Sequence, residues 1–191
     1  MHLYLTVLGA VYISMYCYVE SACPQIISRR NWGARSPKRT TPLRTNPPPY
    51  VVVHHSDTPA CTSRSACETR IRNIQTGHMN DRGWDDIGYN FLIGGDGNIY
   101  EGRGYGIHGS HVPKFNSRSI GICLIGDFQN TSPPNSQQQA LKNLIDCAAE
   151  TNKVARNYHV IGHRQGGTTT CPGNYLFNII KTYPRWDSNP N

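Results

Sequence analysis

The segment Gly162-His163-Arg164-Gln165-Gly166-Gly167-Thr168-Thr169-Thr170-Cys171-Pro172-Gly173 sets an imidazole and a thiol eight residues apart, in a run of small polar residues broken by four glycines. A second imidazole pair stands far upstream in Val51-Val52-Val53-His54-His55, directly after a proline-rich approach. An apolar β-branched run ending in histidine reads as a buried strand that carries a polar group to the sheet's edge. Two histidines and one cysteine supply three protein ligands and leave the fourth tetrahedral position of a zinc ion open to water. That open position separates a catalytic zinc site from a closed structural one. A cysteine nucleophile with a histidine base is the competing chemistry. It leaves one imidazole unemployed and ranks below zinc. Taken singly, His54 also reads as a satisfied core histidine and Cys171 as half of a disulfide.

Strands, helices and a glycine-rich loop must bring these groups together. Tyr50 to His55 is the first strand. Ser63 is the N-cap of a helix running to about Met79, with Ile71, Ile74 and Met79 at near-helical spacing. A turn over Gly83-Trp84-Asp85-Asp86-Ile87-Gly88 leads into the strand Tyr89 to Ile93. Gly94-Gly95-Asp96-Gly97 closes a hairpin onto Asn98 to Glu101, because glycine tolerates the positive backbone angles such turns require. Ser119 to Ile125 is apolar enough to be a central strand. Pro133-Pro134-Asn135-Ser136 introduces a helix with the apolar stripe Leu141, Leu144, Ile145 and Ala148. Val160-Ile161 is a short strand before His163, and a last helix opens after Pro172-Gly173 and ends before Pro184. Residues 23–49 read as polar, proline-rich, extended chain, with Trp32 packing on the domain. This order implies one α/β domain on a mixed sheet flanked by helices.

The chain has 191 residues, enough for one domain with a sizeable core. Residues 1–21 are apolar and aromatic without Lys or Arg, and they end at Val19-Glu20-Ser21, a small-residue cleavage pattern. They read as a secretory signal peptide, with a signal anchor as the alternative, and residues 22–191 as the mature, extracellular domain. Loss of this segment removes Glu20 and no basic residue, so the mature domain is more basic than the formal +7 of the whole chain. A basic surface suits polyanions: nucleic acid, anionic lipid or an acidic bacterial wall. The charge is spread in pairs such as Arg29-Arg30 and Lys38-Arg39. Paired zinc-finger spacing and aromatic ribonucleoprotein motifs are lacking, so nucleic acid is not an expected partner. Stable membrane insertion is not expected after signal removal.

Seven cysteines less Cys17 leave six in the mature chain. An even number in a secreted chain allows three disulfides and no thiolate ligand. Cys61 and Cys67 close a small loop, and Cys147, on a helix, can clamp Cys23. That leaves Cys123 and Cys171 either bonded to each other or serving separate roles.

From about Cys23 to Trp186 the chain resembles the short secreted peptidoglycan recognition proteins and the related phage-lysozyme-type zinc amidases. The matching phrases, in family order, are Ile27-Ser28-Arg29-Arg30-Asn31-Trp32-Gly33-Ala34, Val53-His54-His55-Ser56, Asp86-Ile87-Gly88-Tyr89-Asn90-Phe91, Tyr100-Glu101-Gly102-Arg103-Gly104, Ser119-Ile120-Gly121-Ile122 and Gly162-His163-Arg164-Gln165. The resemblance implies a groove for bacterial muramyl peptides and a role in innate immunity. It also implies a choice between enzymes that cut the bond between N-acetylmuramic acid and L-alanine, and receptors that lack the cysteine and only bind. On this reading His54, His163 and Cys171 hold Zn2+, and Tyr89 takes the catalytic tyrosine's place. Thr169 is expected to be the second catalytic residue: it stands where the phage enzyme uses lysine and the animal amidases usually use threonine. Gly83, Trp84 and Arg103 match members that read diaminopimelate-type stems, whose extra carboxylate an arginine fork can hold in a bidentate pair. His111 is expected to line the groove. His55 is expected to be structural, because neighbouring strand residues face opposite ways.

Overall fold

A computed structural model describes residues 23–191. The segment read as a signal peptide lies outside the described residues. A six-stranded sheet organises the chain: β1 (Ile26–Ile27), β2 (Tyr50–His55), β3 (Phe91–Ile93), β4 (Ile99–Glu101), β5 (Ser119–Leu124) and β6 (His159–Gly162), in spatial order β1-β4-β3-β5-β2-β6. Only the β3–β4 hairpin is antiparallel; every other neighbouring pair runs parallel. The helices are α1 (Arg64–Asn80), α2 (Asn135–Glu150) and α3 (Asn174–Ile180). The result is a single mixed α/β domain. Among the described residues no helix is long and apolar enough to cross a membrane.

Parallel strands covered on both faces are apolar along their whole length, and β2 and β5 are buried at all twelve positions, six in each. Val51 and Val53 of β2 join Ile120, Ile122 and Leu124 of β5 in the larger cluster, closed by Leu141, Leu144, Ile145 and Ala148 of α2 and by Leu176 and Ile180 of α3. Each such Leu or Ile contributes about 1.5–3 kcal/mol on burial. The opposite face packs Leu92, Tyr100 and Cys123 against Cys67 and Ile71 of α1 and the fully buried Trp32. His54 shares that second face and His55 the first. Ser63 caps α1, its Oγ accepting from Ala66 N at 3.4 Å.

Disulfides join Cys23 to Cys147 and Cys61 to Cys67, while Cys123 and Cys171 are free, buried thiols. One element departs from expectation. Residues 23–49, read as extended chain only, contain the edge strand β1, which pairs with β4 through Ile26↔Ile99 and Ile27↔Tyr100. The strand expected from Tyr89 begins at Phe91, because the Tyr89 carbonyl accepts from Arg103 N and the Asn90 carbonyl from Gly102 N and Gly104 N, folding a loop back there.

Candidate metal centre and groove

The parallel register decides where the chemistry lies. β2 ends at His55 and β6 at Gly162, so both strands release their chains at the same edge of the sheet. His54 is held on the last turnless part of β2, 1% exposed. His163 begins the 3-10 turn His163–Gln165, whose entry is held by Gly162 N donating to Gln165 Oε1 at 3.0 Å. Cys171 is returned to the same edge by Arg164 N donating to the Cys171 carbonyl at 2.9 Å. One donor atom each from His54, His163 and Cys171 lies within 4.8 Å of the others.

This donor set fits zinc. Ligand bonds of about 2.0–2.3 Å in a tetrahedron put donor atoms about 3.6 Å apart, and Cys171 Sγ lies 3.8 Å from His54 Nδ1. Burial, followed by the neighbouring His111 and His163, holds His54 well below the usual histidine range. It is therefore neutral, as a metal ligand must be. His163 is lowered too, by burial and then His55. Cys171 Sγ accepts from His55 N at 3.4 Å, a contact that favours the thiolate. In the metal-free protein burial dominates and pushes the thiol up to about 12.

Around this centre stand the other groups. Tyr89 packs at a tilt against His54, with ring centroids 5.2 Å apart. Burial, then Cys123 and Cys171, hold its phenol well above its usual value, so its O–H remains a donor. Thr169 is exposed on the ligand loop, and its Oγ1 accepts from Cys171 N at 3.2 Å. Gly83 is exposed at φ 69°, a conformation glycine adopts without penalty. Trp84 packs at a tilt on His78, with ring centroids 4.7 Å apart, and the Arg82 guanidinium lies 5.3 Å from the Trp84 ring centroid.

Two further site residues are held by internal partners. His111 is 8% exposed, and its Nδ1 meets His54 Nε2 at 3.0 Å. Asn116 draws it inward by accepting from the backbone N–H groups of His111 and Val112, both at 2.8 Å. Arg103 is not a free fork. Its guanidinium donates to Ile87 O at 2.6 Å, His108 O at 2.8 Å, Ser110 Oγ at 2.9 Å and, at 3.5 Å, Asp86 O. Those acceptors lie in two loops that sequence spacing does not bring together. His55 faces the other way, accepting from Phe128 N at 3.3 Å beside Asp127.

Sequence reasoning passed over Asp86. It is 3% exposed, and its carboxylate pairs with Arg29 at 2.9 Å while accepting from Gln75 Nε2 and Ile87 N, both at 2.7 Å. It anchors the turn that carries Trp84 and Tyr89. Two adjacent aspartates in a turn gave no sign of which one is buried.

The fold is a single α/β domain with a His, His, Cys donor set at the exit edge of its parallel strands. The chain belongs to the N-acetylmuramoyl-L-alanine amidase family, matched over residues 44–174, and within it to the peptidoglycan recognition proteins. Peptidoglycan-recognition protein SC2 of Drosophila melanogaster is 44% identical over 172 residues, covering 90% of this chain and 93% of that protein. A point mutant of Drosophila PGRP-LB, solved in complex with tracheal cytotoxin, superposes with a TM-score of 0.83 at 43% identity, covering 88% of this chain and 99% of that one. Peptidoglycan recognition protein LE, solved with tracheal cytotoxin (monomeric diaminopimelic acid-type peptidoglycan), gives 0.83 at 38% identity, covering 85% and 95%.

Proposed function

We propose that this protein is a secreted, zinc-dependent N-acetylmuramoyl-L-alanine amidase of innate immunity, acting on bacterial peptidoglycan with diaminopimelate-type stems. The observation that carries the reading is the convergence of His54, His163 and Cys171 within 4.8 Å at the exit edge of the parallel strands. The relatives solved with tracheal cytotoxin support the choice of ligand.

His54, His163 and Cys171 would hold the zinc ion. Bound there, it supplies a Lewis acid for an unreactive amide and lowers the pKa of water toward about 7. Hydrolysis adds hydroxyl to the lactyl carbonyl carbon of the muramic acid and leaves the alanine nitrogen as the amine. Tyr89, kept protonated, donates its O–H to the oxygen that gains charge in the tetrahedral transition state. Thr169 holds the Cys171 backbone N–H and so shapes the ligand loop. On this reading Gly83, Trp84 and Arg103 contact the peptide stem. Arg103 brings positive charge to a stem carboxylate, and its internal hydrogen bonds set the position of that charge.

The deciding experiment compares the wild-type mature protein with Cys171→Ser. A serine hydroxyl, neutral at pH 7, is a far poorer zinc ligand than a thiolate. Wild type should retain zinc and release peptide stems from cell walls. Cys171→Ser should lose both and still bind peptidoglycan. A wild-type protein that binds walls but takes up no zinc and releases no stems would be a receptor, not an enzyme.

A further inference from the structure

Two imidazoles in contact cannot both present a proton, nor both a lone pair, to each other. His54 Nε2 and His111 Nδ1 lie 3.0 Å apart, with the rings 88° from coplanar. One of these nitrogens therefore carries the hydrogen and the other accepts it. The far side of His111 decides which. Its Nε2 lies 3.4 Å from Ser119 Oγ, and that hydroxyl donates to the Phe115 carbonyl oxygen at 2.8 Å. A serine hydroxyl has a single hydrogen. With it directed at Phe115, Ser119 Oγ can only accept, so His111 carries its hydrogen on Nε2. Burial is complete enough to exclude water from the chain of contacts, with His54 1%, His111 8% and Ser119 0% exposed. Among the described residues neither ring has a carboxylate as a hydrogen-bond partner, and a buried imidazole without one is neutral. A neutral His111 with hydrogen on Nε2 has its lone pair on Nδ1 and accepts from His54 Nε2. What is left on His54 is the Nδ1 lone pair, on the nitrogen that faces Cys171 Sγ at 3.8 Å.

We propose that Ser119 and His111 form a tautomer relay that fixes His54 with its hydrogen on Nε2 and so presents the Nδ1 lone pair toward the metal position. His111 is a positioning residue, acting through His54, and the proposal rests on the zinc reading given above. Metal-bound histidines commonly donate their second N–H to a carboxylate or carbonyl. Here the acceptor is a neutral ring, so the tautomer is set without adding negative charge beside the ligands. The fold reserves space for it. A Cβ on Gly121 would come 2.6 Å from His111 Cδ2, and one on Gly109 would come 2.4 Å from the same atom. The bare backbone of Gly121, in the middle of β5, is thus where the His111 ring lies.

The test is nitrogen-15 NMR of the imidazoles in metal-free wild-type protein at neutral pH, joined to zinc affinity measured by chelator competition. Both His54 and His111 should show a protonated Nε2 and an unprotonated Nδ1. A hydrogen on Nδ1 of either ring overturns the relay, and this measurement needs no variant. His111→Phe keeps a ring of similar bulk and removes the acceptor. It should let His54 populate both tautomers and weaken zinc binding by about 10–100-fold. Ser119→Ala should cause a smaller loss in the same direction, with a mixed His111 spectrum. Unchanged zinc affinity in folded His111→Phe would sink the proposal. Absence of zinc uptake by wild type would count against the metal reading, while the metal-free spectrum would still decide the relay.

Discussion

His55 N donates to Cys171 Sγ at 3.4 Å across 116 residues of sequence. The backbone of β2 therefore fixes the thiol while the preceding side chain, His54, supplies the adjacent imidazole. One strand end orients two of the three candidate ligands. The geometry ties metal affinity to the integrity of the β2 edge, and it separates residues that hold the site from residues that act in it.

Tyr89→Phe separates those roles. It removes one hydroxyl and no ligand, and the ring can keep its tilted packing on His54. Zinc content should match wild type by elemental analysis, while turnover on wall fragments drops about 10²–10³-fold, as for loss of one oxyanion donor. Full activity in this variant would leave Tyr89 a packing residue only.

Arg103→Ala should weaken binding of diaminopimelate-type muramyl peptides more than lysine-type ones, by about 1.5–3 kcal/mol for a lost charge-assisted hydrogen bond. Because Arg103 also donates to Ile87 O, His108 O and Ser110 Oγ, the melting temperature should fall as well. Titration calorimetry with both stems reads the difference. Equal losses on the two stems would confine Arg103 to holding the loops.

The two bridges should differ in worth. Cys23–Cys147 spans a sequence separation of 124 and Cys61–Cys67 one of 6. Loop-closure entropy scaled with loop length makes the long bridge worth about 3 kcal/mol more. Denaturant titration of the two paired Cys→Ala variants should rank them in that order, and the reverse order would mean that strain or residual structure outweighs chain entropy.

Acid should destabilise the protein above the pH range in which carboxylates titrate. Burial lowers His78 to about 4, with Arg82 and Arg103 adding to the shift and Asp86 opposing it. Its Nδ1 accepts from Gly88 N at 3.0 Å, a contact that protonation destroys. The folded value lies below the unfolded value of about 6.5, so the unfolded chain binds more protons between them. Stability is then fully present above about pH 6.5 and is lost as the pH falls toward 4. In His78→Asn the fall in stability between pH 6.5 and 4 should be shallower, as read by chemical denaturation at each pH. An unchanged slope would place the acid sensitivity elsewhere.

Much of this was legible in the chain itself. The valine run before His54 reads as a buried strand, because the four positions Tyr50 to Val53 in a row have no polar face to give to water. The α2 stripe of Leu141, Leu144, Ile145 and Ala148 follows from helical period, and the N-cap at Ser63 from its hydroxyl. The His163 to Cys171 spacing and the family phrases named the candidate ligands, since ligand chemistry depends on residue type. Tertiary structure decided the rest. Periodicity states which side of an element is apolar but not which element covers it, so the strand order and the two-residue β1, too short to show a period, came only from pairing. The separation of Cys123 from Cys171 depended on which loop closes at the strand edge. Arg103 and His111 were readable as polar groups near a groove. Whether they face a ligand or the protein depends on carbonyls and rings contributed by distant loops. Burial makes those internal partners compulsory, because a buried donor or acceptor left unpaired costs more than the loop rearrangement that satisfies it.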